Sequence, residues 1–381
     1  MHEYIYSKSK KRLTFYKRTF NSPISSMDYK TTRGIQRNLL YTLAVIITAL
    51  CSGCSSINYY THLIGGHLEI HSNTQPIKSI LENPKTEGRL AQKLRLITEA
   101  KSFAETNLAL PKTDSYTQYA NIGRDYVMWS VTATPKLSLS PYQSCFIIVG
   151  CMSYRTFFAK DDANEFAKSM KEQGYDTYIG EVAAFSSLGW FDDPVLNTML
   201  KWPDTRLAGL IFHELTHQKI YVNGDTTFNE SVAVTVEIEG IKQWLQSKGQ
   251  TDKLEIFLKQ QQRRKQFLDI VLKTRSKLKE LYQSNRSDSE KIRQKQKIFK
   301  QLLTDYYELK HSWNGYSGYD RWFNNSLNNA KLALLSTYTQ YVPDLTRLLH
   351  ENNSDFGDFF QAVNKLAGMK KSERKKFISP P

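Results

Sequence analysis

The chain has 381 residues, 40% of them hydrophobic and 23% charged, with a formal net charge of +15. That length allows one large core or two smaller ones, and the apolar content excludes a chain without a packed core. The basic excess does not make a nucleic-acid binder: no binding motif accompanies it, and residues 1–53, with nine basic and two acidic residues, hold nearly half of it.

Lys30, Arg33 and Arg37 precede Leu39–Leu50, twelve mostly apolar residues. Such a run is too short to span a membrane, which takes ~20 residues, but it suits the core of a signal peptide. Cys51-Ser52-Gly53-Cys54-Ser55 follows and resembles a bacterial lipobox, with Cys54 as the lipidated mature N-terminus. Residues 1–53 therefore read as a signal peptide, and a start at Met27 gives it an n-region of normal length. An uncleaved anchor or a plain secretory signal are the other readings; all three carry the rest of the chain out of the cytoplasm. The expectation is a bacterial envelope protein facing the periplasm, attached to the membrane through its N-terminal lipid.

Residues 54–110 read as a helical segment, with a helix over Tyr59–Leu81 in which Gly65-Gly66 is a weak point and a basic amphipathic helix from Thr86 to Thr106. Residues 111–250 read as an α+β catalytic core. Tyr126–Ala133 and Phe146–Gly150 are β-branched and aromatic runs bounded by Pro and Gly, the pattern of strands. Asp161–Gln173 predicts a helix stopped by Gly174, Tyr175–Ile179 a returning strand, and Val182–Phe191 a further extended stretch. Cys145 and Cys151 flank the second strand. In an oxidising compartment they read as a disulfide, with two free thiols as the alternative.

Asp204, after Pro203, predicts a helix cap, and Leu207, Leu210, Ile211 and Leu215 an apolar stripe. That helix carries His213-Glu214-Leu215-Thr216-His217. Histidines at i and i+4 lie on one face, so both imidazoles can bind one zinc ion, and Glu214 falls where it can take a proton from water. A catalytic zinc takes three protein ligands and keeps one position open. After the turn Asn223-Gly224-Asp225, a second helix is predicted from about Phe228 to Lys248, and Glu230 near its start is the third-ligand candidate. Thr227-Phe228-Asn229-Glu230 is also a capping box, in which that glutamate serves only the helix start. Glu237, two turns beyond Glu230 on the same face, can orient a zinc-bound histidine from behind; solvated surface carboxylates at Glu237 and Glu239 are the other reading.

Residues 251–381 read as helical. Leu254, Phe257, Leu268, Val271, Leu272 and Leu278 stripe one long helix, and Ser287-Asp288-Ser289-Glu290 caps a second, a hairpin with its tip near Ser284–Asp288. Residues 251–300 carry fifteen basic and six acidic residues, which read as a solvated helix face, with attraction to anionic head groups as the other reading.

Asn229-Glu230-Ser231-Val232-Ala233 after the histidine pair resembles the third-ligand motif of the gluzincins, zinc peptidases with a His, His, Glu site. The run from Asp204 to Ala233, with Val149–Arg155, Ser187–Val195 and Leu327–Ala333, resembles the predicted zinc aminopeptidases found as lipoproteins in Gram-negative bacteria. The spacing from His217 to Glu230 is shorter than in most gluzincins, and Val234 stands where many carry an acidic residue. The resemblance implies a zincin-like α+β fold, one Zn2+ per chain on His213, His217 and Glu230, and Glu214 as general base. It further implies a substrate-pairing edge strand, for which Phe185–Trp190 is the candidate, and an oxyanion-stabilising tyrosine from the C-terminal helices. Tyr319, Tyr338 and Tyr341 are candidates for the latter, Tyr338 preferred because it follows Asn328-Asn329-Ala330. The expected function is zinc-dependent hydrolysis of peptide or protein substrates, as an aminopeptidase by resemblance. An envelope endopeptidase and an inert lipoprotein scaffold or chaperone are the alternatives.

Overall fold

The computed structural model describes residues 61, 64–146, 150–184, 192–324, 327–333, 335 and 341–378, all within one compact unit, Thr61–Pro381. The signal segment, Cys54, the Phe185–Trp190 stretch and Tyr338 lie outside the described residues. The architecture is α+β, small sheets in the first half and helices in the second.

The segment expected to be one helix up to Leu81 is three elements. Helix α1 (64–72) ends in strand β1 (Thr74–Pro76), and α2 (Ile77–Glu82) follows. β1 pairs antiparallel with β2 (Gln118–Ala120) after α3 (Gly88–Asn107), so sheet pairing overrides the local helical pattern. Strand β3 (Met128–Pro135) is the centre of a second sheet. The hairpin β4 (Ser144–Phe146) and β5 (Gly150–Met152) is closed by a Cys145–Cys151 disulfide. β6 (Arg155–Phe157) lies antiparallel on one side of β3, and after α4 (Lys160–Glu172) strand β7 (Tyr175–Val182) pairs along its whole length on the other, from Met128 opposite Val182 to Pro135 opposite Tyr175. Strand β8 (Val195–Leu196) then returns to the first sheet, parallel to β2, and delivers the chain to α5 (Asp204–Lys219).

Helix α5 packs against α6 (Thr226–Ser247) and α3 through glycine. A Cβ on Gly209 would sit 2.8 Å from Ile241 Cδ1, and one on Gly240 would sit 2.7 Å from Leu108 Cδ1 and 3.0 Å from Phe212 Cδ2. A side chain at either place would have to displace these side-chain ends, so glycine eases the approach of α6 to α5 and α3. Leu94, Ile97, Phe212, Leu215, Val232 and Val236 fill the core between these helices.

Beyond Gly249, α7 (Thr251–Gln283) and α8 (Asp288–Ser312) form a hairpin, and Ser287 accepts the Glu290 N–H at its tip. Short α9 (Asp320–Phe323) and α10 (Asn329–Ala333) tie that hairpin to the β3–β7 sheet. Asn329 Nδ2 donates to the carbonyls of Pro135, Lys136 and Ser138, while its Oδ1 accepts from Tyr282. The Asn328-Asn329 motif is thus a structural stitch. Tyr319 stacks on Phe267 at 4.2 Å, and Tyr341 is buried in the helical core. Among the described residues no helix is long and apolar enough to cross a membrane.

The chain ends with α11 (Val342–Glu351), α12 (Phe356–Ala367) and α13 (Lys371–Ile378). From α13, buried Arg374 donates to Asp225 Oδ2 at 2.7 and 3.1 Å and to the carbonyls of Leu366, Ala367 and Met369 at and just beyond the end of α12. Asp225 is the residue before α6, so the last helix fixes where that helix starts. Removing one partner of a buried pair strands the other charge. Arg374→Met is expected to lower stability by about 3–5 kcal/mol, read as a lower urea midpoint with an unchanged slope.

Candidate metal centre

Helix α5 turns Leu207, Ala208, Ile211, Phe212 and Leu215 into the core, leaving His213, Glu214 and His217 for its remaining faces. Asp204 is the first residue of this helix and makes no cap bond; its carboxylate takes the Lys93 ammonium at 2.9 Å, which ties α5 to α3. The expected cap is therefore replaced by a tertiary ion pair that local sequence does not encode.

The capping-box expectation for Glu230 is also corrected. Helix α6 begins at Thr226, so Thr227 lies inside it and makes no capping bond. Asn229 supplies the local order instead: its side chain donates to Val222 O at 2.9 Å and accepts from Val222 N at 2.8 Å, fixing the loop with Gly224 at φ +76°. Glu230 is thereby aimed at α5. Its Oε2 lies 3.4 Å from His213 Nε2 and its Oε1 3.6 Å from His217 Nε2, while the two Nε2 atoms are 3.2 Å apart.

These separations test the fit to a metal. Four ligands placed tetrahedrally at the zinc distance of about 2.0–2.1 Å are about 3.3–3.4 Å from one another. The three observed separations, 3.2, 3.4 and 3.6 Å, bracket that edge. Two imidazole nitrogens and a carboxylate are the donor set that suits zinc, and among the described residues this is the one such group. The donor atoms face one another lone pair against lone pair, an arrangement that a cation among them would stabilise.

Glu237 completes the arrangement from behind. Its Oε2 lies 3.1 Å from His213 Nδ1, so the proton stays on Nδ1 and Nε2 faces the centre. The Glu237 carboxyl is kept below its ordinary pKa: burial opposes this, but the His213 contact, Arg264 and Arg206 outweigh it. Glu239 points elsewhere, to Lys242 at 2.7 Å and His350 at 3.5 Å. Glu214 is half-buried beside His213. Tyr221, which no motif marked, is exposed with its ring 6.4 Å from that of His217.

Without metal, a proton takes the cation's place. Burial works against a charge on His213, but the bonds to Glu230 and Glu237 and the field of Glu214 raise it to about 10. Burial and the His213 charge push His217 down to about 4, against Glu230. The pair therefore holds one proton through the neutral range.

The chain belongs to the Putative aminopeptidase family, whose model matches residues 58–378. No curated protein and no solved structure matches it.

A metal entering the site must expel the shared proton, so affinity rises with pH. Zinc titrated into the chelated protein at pH 7.5 is expected to release about one proton per ion, and apparent affinity to rise about tenfold per pH unit near neutrality. Calorimetry in buffers of different ionisation enthalpy measures both, and no proton release would remove His213 from the ligand set. Glu230→Ala should abolish zinc binding, whereas Glu237→Ala should weaken it about 10–100-fold; a Glu230→Ala protein with full zinc content would return that residue to a structural role.

Proposed function

We propose that this chain is a zinc-dependent peptidase, with His213, His217 and Glu230 holding one zinc ion and Glu214 acting as general base. The observation that carries this reading is the tetrahedral spacing of the three donor groups, with Glu214 adjacent on the same helix, in a chain of an aminopeptidase family. Bound zinc would supply Lewis acidity, polarising a peptide carbonyl and making water more acidic. Glu214 takes the proton of the water that adds to the carbonyl carbon, then hands it to the amine as the C–N bond breaks. Glu237 holds the His213 ring and its tautomer throughout. Removal of an N-terminal residue is the substrate class that the family description supports.

Zinc-loaded Glu214→Gln should keep its metal and lose peptide hydrolysis by at least ~100-fold, the scale of a positioned base. Wild-type protein with full zinc that cleaves no member of a peptide library, free or blocked at the amine, would sink the reading.

We also propose that the protein works in the cell envelope, anchored by lipid on Cys54, on the strength of the basic, apolar and small-residue order of residues 30–54. Intact mass of the mature protein should show a diacylated or triacylated Cys54 at its N-terminus, and Cys54→Ser should release it from membranes. An unmodified Cys54 within a longer mature chain would overturn this.

A further inference from the structure

The side of α5 that carries Glu214 is flanked by a segment that no motif marks. Gln218, one turn beyond Glu214, donates from Nε2 to Ser115 Oγ at 3.0 Å. Ser115 Oγ in turn accepts the Asp193 N–H at 3.3 Å, and the Tyr116 N–H donates to Asp193 O at 2.7 Å. These bonds hold Tyr116 at φ +64°, in the left-handed region that a bulky residue enters only at a cost.

The phenol carries a second cost. Tyr116 is 1% exposed, and its hydroxyl has no hydrogen-bond partner. Buried hydroxyls nearly always have one, because leaving water without replacing its bonds is unfavourable. Burial first, then the carboxylates of Glu214 and Asp193, push this phenol well above its ordinary pKa, so it stays a neutral donor. Phenylalanine would fill the same space without the unmet donor. A strained backbone and an idle donor on one residue, in a segment bonded to the α5 turn that follows Glu214, point to a partner acquired during the reaction cycle.

We propose that Tyr116 is a positioning residue for Glu214, its phenol being the donor that fixes the Glu214 carboxylate when that side chain turns to take its proton. This rests on the reading of Glu214 as the general base.

The test is a double-mutant cycle on the zinc-loaded chain, with Tyr116→Phe and Glu214→Gln made singly and together. Tyr116→Phe should unfold at the same or a higher urea concentration, since an unmet hydroxyl is lost. Its kcat should nevertheless fall about tenfold or more, with KM and zinc content unchanged. On the Glu214→Gln background it should lower residual hydrolysis no further. Unchanged kcat in Tyr116→Phe, or a fall in zinc content alongside kcat, would overturn the proposal. So would additive losses of kcat in the double variant, or coupling of Tyr116→Phe to Asp193→Asn in place of Glu214→Gln. A wild-type protein that hydrolyses nothing would overturn the peptidase reading and this proposal with it, whereas an active wild type with kcat unchanged in Tyr116→Phe would overturn this proposal alone.

Discussion

Two imidazole nitrogens and a carboxylate, all within 3.6 Å and all offering lone pairs, repel one another unless a positive charge lies between them. What keeps them in place is the close packing of α5 on α6, which the absence of side chains at Gly209 and Gly240 eases. Around this helix pair each remaining contact limits one degree of freedom. Asn229 sets the loop, Glu237 sets the His213 ring, Lys93 sets the start of α5 and Arg374 sets the start of α6. The repulsion is thus balanced by a rigid frame rather than by local bonds among the ligands. A frame of this kind is preorganised for a cation and has little to rearrange when one arrives.

The parts of this site that sequence reveals are those set by short-range geometry. His213 and His217 are legible because a helix puts i and i+4 together whatever surrounds it. Glu237 was readable for the same reason, two turns from Glu230 on one face. The helical hairpin of α7 and α8, with Ser287 at its cap, follows from periodicity and a capping signal that tertiary contacts do not override. Where a local signal misleads, a distant partner decides the matter. Thr227-x-x-Glu230 has the letters of a capping box, but Arg374, 149 residues away from Asp225, fixes an earlier helix start. Asp204 has the position of a cap but is claimed by Lys93, 111 residues away. Thr74–Pro76 lies in a helical pattern yet pairs with Gln118–Ala120, because a sheet edge outweighs a weak local preference.

Tyr116 and Ser115 were illegible for a further reason: nothing about their neighbours in sequence connects them to Glu214. They reach it only because β2 pairs parallel with β8, which brings residues near 116 and 193 beside α5. The strained φ of Tyr116, its unmet hydroxyl and the unpartnered Nδ1 of His217 lie in the part of the fold around α5, and further buried polar atoms without a hydrogen-bond partner lie at Thr132, Thr134 and Lys331. At Asn329, by contrast, one side chain meets four bonding partners at once.

The clasp at Asp225 also makes the site depend on a remote helix. Asp225, at the head of the helix bearing Glu230, meets Arg374, 149 residues further along the chain, and Lys371, both on α13. A chain cut before α13 would hold both histidines and Glu230 yet lack the charges that steady the start of α6. Such a fragment would carry the candidate ligands without part of the frame that sets them.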